Sequence, residues 1–522
     1  MRHDIGLVAS QYLMDSIRSK KFLPKSCRPS QPNQKIRRLK EGKTMRISYR
    51  GMILAGLSVA AWTLPSPVET VLYRFQGTSD GLFPAFGVIT DEQGALYGIT
   101  EAFGSNNGLV FKLTPPAKGQ TAWTETVLFS FNGGSDGANP QAGLIADKQG
   151  VLYGTTFNGG NSNNGLVFKL TPPAKGQTAW SVLYSFCSLC FKLTPPAKGQ
   201  TAWTQSVLYS FCSLSNCSDG SAPAAALITD EQGTLYGTTS GGGSSNNGTV
   251  FKLTPPAKGQ ATWTETVLYS FKGGSDGSNP QKAALIADKQ GALYGTTLAG
   301  GISGISSPCG LDGCGTVFKL TRPSKGQTTW AETVLYRFKG GSDGGEPFAG
   351  LIADEQDALY GTANFGGNNN NGLAFELKPP SKGQTTRTET VLYTFCSLSN
   401  CSDGAAPQAA LIADKQGALY STTAVGGSGG NRGTVFKLTP PAKGRTAWTE
   451  TVLYSFKGGN DGSNPGAALI ADKQGALYGT TTFGGGAGNA GNGNGTVFKL
   501  ALCPEREKDH DHDGCPDFQS ME

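Results

Sequence analysis

The chain has 522 residues, 75 of them Gly and 28 Pro, with 16% charged, 37% hydrophobic and 9% aromatic residues. That aromatic content argues against wholesale disorder, Gly does not recur at every third position as collagen requires, and no window holds the 18 apolar residues of a spanning helix. The net charge of +6 is concentrated at the start: residues 1–44 carry eleven Lys/Arg against three Asp/Glu, the last twenty carry two against seven, and the region between is near neutral. Without a basic excess on the folded part, the charge gives no footprint for nucleic acid.

Met45 reads as the physiological start. Arg46 and Arg50 precede a short apolar run, Met52 to Ala61, with small residues at its end. A charged segment, a short apolar core and small residues are the pattern of a secretory signal. Residues 45–61 are therefore expected to be a signal peptide, residues 1–44 an over-called extension, and the mature chain exported without a stable membrane span.

From residue 69 one phrase recurs. Its "VLY/VLF" starts fall at Val71, Val127, Val182, Val207, Val267, Val334, Val391 and Val452, spaced 56, 55, 25, 60, 67, 57 and 61 residues apart. A fixed long period signals a repeat architecture. The copy at Val182 is cut short, running from "VLYSFCSLC" straight into "FKLTPPAKGQTAW". Each full unit holds four strand-like pieces, which in the second copy are expected at 143–146, 151–155, 166–170 and 182–186. Four short antiparallel strands repeated radially make a β-propeller. The expected fold is all-β, with seven four-stranded blades across residues 69–500 and a degenerate half-blade near 182–206 that splays or extends the ring. The last unit stops after its third strand, and the lone strand at Val71–Phe75 can complete it and close the ring, leaving no free edge. The alternative is an open β-solenoid.

Antiparallel connectivity puts the strand 4→1 and 2→3 loops on one face. That face carries one Asp per blade: Asp80, Asp136, Asp219, Asp276, Asp343, Asp403 and Asp461. Asp before Gly is turn chemistry, and a ring of acceptors for sugar hydroxyls or cations is the sharper reading. The opposite face carries a Lys per repeat (Lys118 to Lys443) and Trp123, Trp180, Trp203, Trp263, Trp330 and Trp448, with Arg387 in the Trp position of one blade. These rings suit packing between blades or stacking on sugar rings. Of eleven Cys, Cys212/Cys217, Cys309/Cys314 and Cys396/Cys401 each enclose four residues in loops of the Asp face. Loop cysteines in an exported chain read as disulfides; Cys187/Cys190 and Cys503/Cys515 are further candidates.

The segment "LIADKQGALYGTT…GG…NGTVFKL" resembles the bacterial GloVer-type tandem-repeat proteins, and the resemblance covers residues 69–500. It implies an exported, propeller-like repeat protein, often carrying a surface-sorting anchor. No hydrophobic anchor follows the repeats in this chain. Residues 503–522 form an acidic tail in which Asp509, Asp511, Asp513 and Asp517 are spaced D-x-D-x-D-G-x-x-D. Alternating carboxylates followed by Gly suit a hard cation such as Ca²⁺, and the pattern resembles thrombospondin type 3 calcium repeats.

No His lies between His3 and His510, which excludes His-based acid–base or triad chemistry from the repeats. Identical carboxylates lack the asymmetry that separates two catalytic pKa values. The expected function is therefore non-catalytic: a multivalent binding surface for polysaccharide or for a surface protein. The alternatives are a carboxylate-dependent polysaccharide lyase or hydrolase, and a purely structural adhesion module.

Overall fold

The computed structural model describes residues 66–502, together with 516 and 518, apart from 78, 102–106, 161, 172–180, 183–191, 195–203, 207–211, 213, 259, 261–262, 283, 303, 305–307, 368, 385 and 487–492. The signal peptide, the extension before it and Cys187/Cys190 lie outside the described residues.

Seven antiparallel four-stranded sheets repeat along the chain. Blade 1 is Val88–Thr90, Leu96–Thr100, Leu109–Thr114 and Thr124–Ser130. The first strand of each blade is two or three residues long and lines a central channel, while the fourth lies outermost. The strands are built from β-branched and aromatic residues, which fit a pleated surface. In the third strand of blade 1, "LVFKLT", Val110 and Phe111 on opposite faces are both fully buried, because neighbouring blades cover each sheet on both sides.

The N-terminal strand closes the ring. Val68–Arg74 pairs antiparallel with Thr496–Ala501, as fourth strand of the blade whose first is Ile470–Ala471. Its bulge, between Val71 and Tyr73, repeats the bulge in the fourth strand of other blades.

One contact joins every pair of neighbours. The Gly before each third strand lies in the left-handed region, and a Cβ there would meet the Cδ of a proline in the next blade at 2.4–2.8 Å, as for Gly108 and Pro140, Gly372 and Pro407, and Gly495 and Pro84. Beside it, the residue preceding that proline donates its N–H back across the gap. Asn139 N reaches Asn107 O at 2.9 Å, Asn279 N reaches Asn247 O at 2.9 Å, and Phe83 N closes the ring on Asn494 O at 2.8 Å. Edge-on Phe pairs fill the space beneath, such as Phe131 on Phe168 at 5.2 Å and Phe75 on Phe111 at 5.0 Å.

The truncated copy does not widen the ring. Lys192–Thr194 and Thr204–Ser206 form a separate two-stranded ribbon. Blades 2 and 3 nevertheless meet directly through the same contact, with Ala222 N on Asn164 O at 2.9 Å and Gly165 against Pro223. Each contact is thus made whatever the length of chain that separates the two blades.

The contact predicts a position-specific penalty. Gly372→Ala is expected to cost about 2–4 kcal/mol, combining left-handed strain and overpacking. Gly383→Ala, also left-handed but with nothing within 4 Å, should cost only about 1–2 kcal/mol. Urea denaturation of both variants checks the difference; equal costs would mean that Pro407 does not press on Gly372.

Candidate functional site

The 4→1 and 2→3 loops share one face, as isolated bridges between them show: Ala138 with Asn158, Ser278 with Ala299, Ser463 with Phe483. The Asp ring belongs to this face, and six of its members accept hydrogen bonds within it. Asp80 accepts from Tyr73 Oη, Gln76 N and Gly77 N, all at 2.9 Å. Asp276 accepts from Tyr269 Oη at 2.6 Å and Lys272 N at 2.7 Å, and Asp461 from Tyr454 Oη and Lys457 N at 2.9 Å. Asp343 accepts from Tyr336 Oη and Lys339 N. Asp403, fully buried, accepts from Tyr393 Oη and Ser397 N at 2.8 Å. Asp219 is also fully buried. Asp136 differs: Phe129 stands where its Tyr would be, and it binds Asn132 N and Nδ2. At six positions the ring thus fastens the end of a fourth strand to the loop that follows.

Behind this ring lies a second one that the sequence pattern did not single out. The "TETVLY" Glu of one blade faces the Asp–Tyr pair of the blade before. Oε1 of Glu69, Glu125, Glu332, Glu389 and Glu450 is buried with no hydrogen-bond partner. Burial first, and then the neighbouring carboxylate, pushes Glu69 (beside Asp461), Glu125 (beside Asp80), Glu332 (beside Asp276) and Glu389 (beside Asp343) up to about 7, and Glu450 (beside Asp403) up to about 8. Arg74 and Lys457 oppose the shift at Glu69, Arg337 and Lys272 at Glu332, and Lys339 at Glu389. Blade 2 has lost this Glu, and blade 2 is the one facing Asp136 and Phe129, so Tyr and Glu are absent together.

The opposite face is equally committed to structure. In each "DxxG" turn the Asp accepts from two backbone N–H groups and from the Tyr six residues on, as Asp91 does from Gln93, Ala95 and Tyr97. Of the Trp ring, Trp180 and Trp203 lie outside the described residues. Trp123, Trp263 and Trp448 are half-buried and Trp330 is buried, packed between blades, with Trp448 6.4 Å from Tyr360. Arg387 fills the same slot and binds Leu377 O at 3.1 Å and Asp357 O. The five described Lys of the rim are exposed.

The unsatisfied surface lies on the Asp face. Seven large hydrophobics are exposed among the described residues, and six are in its loops: Leu214, Ile302, Leu311, Phe365, Leu398 and Phe483. Three of these sit one to each disulfide loop, Cys212–Cys217, Cys309–Cys314 and Cys396–Cys401. Leu311 is 75% exposed. The tail carboxylates Asp509, Asp511, Asp513 and Asp517, and Cys503 and Cys515, lie outside the described residues. Among the described residues no cluster of three or more potential metal ligands occurs, and no helix is long and apolar enough to cross a membrane.

The Gloeobacter/Verrucomicrobia repeat matches this chain over residues 58–213, 187–400 and 384–514. No curated protein is a significant match. Similar solved structures include the polysaccharide lyase Uly1, at 12% identity, TM-score 0.43 and coverage of 82% of this chain and 92% of that one. The PQQ-bound aldose sugar dehydrogenase of Streptomyces coelicolor follows at 14% identity, TM-score 0.35 and coverage of 84% and 99%. The NanB sialidase of Streptococcus pneumoniae follows at 9% identity, TM-score 0.39 and coverage of 83% and 70%. Likeness this distant carries no argument about chemistry.

The Glu ring predicts a direction of pH dependence. Its folded-state pKa values lie above the ordinary 4.5, so the folded chain keeps protons that the unfolded chain releases. The associated stabilisation is full below about pH 4.5 and is lost as pH rises through about 7 to 8. The melting temperature should fall between pH 5 and 8, and Gln at the five positions should flatten that fall. A melting temperature that rises over this range in the parent chain would contradict the assignment.

Proposed function

From the chain's membership of the Gloeobacter/Verrucomicrobia repeat family we propose that it is an exported, non-catalytic propeller whose Asp-face loops form a multivalent binding surface for a polysaccharide or another protein. One observation carries this reading: the exposed apolar tips gather on that face, and three of them are presented by disulfide-closed loops. Exposed apolar patches rimmed by polar residues are characteristic of interaction surfaces. A closed loop also loses less freedom on binding, which favours affinity. The aliphatic tips Leu214, Leu311 and Leu398 suit a protein surface, and Phe365 and Phe483 suit a sugar ring.

The three disulfides support an oxidising compartment and hence export. Internal use of the ring carboxylates argues against a lyase or hydrolase built on them. The tail is proposed to bind Ca²⁺ through Asp509, Asp511, Asp513 and Asp517, on the chemistry of its spacing alone.

Repetition predicts graded loss. A panel of polysaccharides and purified extracellular proteins, with calcium and with chelator, should yield a saturable ligand that is released unchanged. Replacing Leu214, Leu311 and Leu398 by Ser, singly and then together, should weaken binding stepwise, as avidity requires. Turnover of a polysaccharide, abolished by one Asp substitution, would overturn the non-catalytic reading. Undiminished binding by the triple variant would remove the loop tips from the surface.

A further inference from the structure

The central channel encloses about 460 Å³. Each blade contributes to its wall a small residue followed two positions later by Ile, as in Gly143/Ile145, Ala284/Ile286 and Ala410/Ile412. Residues two apart on a strand share a face, so the lumen is a stack of a small-residue ring and an Ile ring.

The two ends differ. At the "DxxG" end Phe518 lines the channel, 6% exposed and edge-on to Tyr420 at 5.1 Å. The carbonyl of Pro516 lies against Gly475 in the last such turn. At the Asp-face end the sevenfold pattern breaks at two charged residues. Blade 4 has one residue more than the others between its loop proline and first strand, and this segment carries Lys282. Lys282 has φ 63°, a strained conformation for a side-chain-bearing residue, and Nζ lies 5.3 Å from the ring centre of Phe348. Glu101 stands where other blades carry Phe157, Ser240, Leu298, Asn364, Ala424 or Thr482. Both residues line the channel.

We propose that the channel is a one-ended site for a small carboxylate with an apolar body, its carboxylate held at the mouth by Lys282 and its body in the Ile-lined lumen above Phe518. A cavity of this size with an apolar wall and a few polar groups at one end has the make-up of a small-molecule site. The ammonium of Lys282 supplies a charge-assisted hydrogen bond. Burial raises the pKa of Glu101, with Lys282 opposing. The site lies at the centre of the Asp face but needs none of its apolar loop tips, so it stands or falls separately from the multivalent surface.

Calorimetric titration of the whole chain tests the proposal, with octanoate as probe, acetate as the same head without a body, and 1-octanol as a body without the charge. Octanoate should bind one per chain and acetate not measurably. Lys282→Met should weaken octanoate about tenfold and leave octanol unchanged, and Ala410→Trp, which fills the lumen from a distant blade, should abolish both. Circular dichroism establishes that each variant is folded, and the acetate comparison serves if Ala410→Trp does not fold. No saturable octanoate binding, acetate binding as tight as octanoate, or indifference to Lys282→Met would overturn the proposal.

Discussion

Everything in this ring depends on how one blade meets the next, and that meeting is a glycine under a proline. A left-handed Gly before the third strand leaves room for the proline of the following blade, and the residue before that proline returns a hydrogen bond. The contact couples two units some sixty residues apart through backbone and ring atoms, so it tolerates wide variation in the loops around it. This explains how blades 2 and 3 meet normally although a truncated repeat is spliced between them. It also explains how the first and last blades, at opposite ends of the chain, join as any neighbours do.

The polar groups of the repeats divide into two sets. Those repeated in register belong to the fold: the loop Asp that binds Tyr, the "DxxG" Asp that binds a second Tyr, and the Glu behind the first pair. A buried carboxyl with an unpaired oxygen is costly when charged, and burial beside a second carboxylate is the physical reason the pKa values of these Glu are raised. A second set breaks register and takes no part in these bonds. Lys282, Glu101 and the three disulfide-borne leucines occur once or at irregular positions, and all lie on the Asp face or at its central opening. Function in a nearly symmetric ring is to be sought where the symmetry fails.

Much of the architecture was legible in the sequence because it is periodic. The recurrence of "VLY", the missing final strand and the spare first one specify seven blades and the way they close. The pairing of loop cysteines was legible too, since each pair encloses the same number of residues. Strand limits were less so: the first strand of blade 2, expected at 143–146, is Ile145–Ala146, and Gly143 before it lies close to Phe86 of blade 1. The truncated repeat was expected to splay or extend the ring, and the pattern of one repeat cannot show that its neighbours bypass it. The Glu ring was missed for a related reason. Glu125 meets Asp80 only across a blade interface, and on its own strand it looks like an ordinary solvent-facing position of an alternating pattern. The Asp–Tyr pairs of these turns did have a local signal, Asp and Tyr six residues apart in all seven copies, including blade 5 where Asp357 replaces the turn Gly.

Closure of the ring by the N-terminal strand is the central structural claim, and hydrogen–deuterium exchange of the backbone tests it most directly. If Val68–Arg74 is a true fourth strand on Thr496–Ala501, amides of both that bond across the pair should exchange as slowly as those of Thr264–Ser270 and Thr249–Thr254 in blade 3. Opening then requires the ring itself to open. Rapid exchange confined to Val68–Arg74, with blade 3 still protected, would show a frayed end on an open array and would contradict the account.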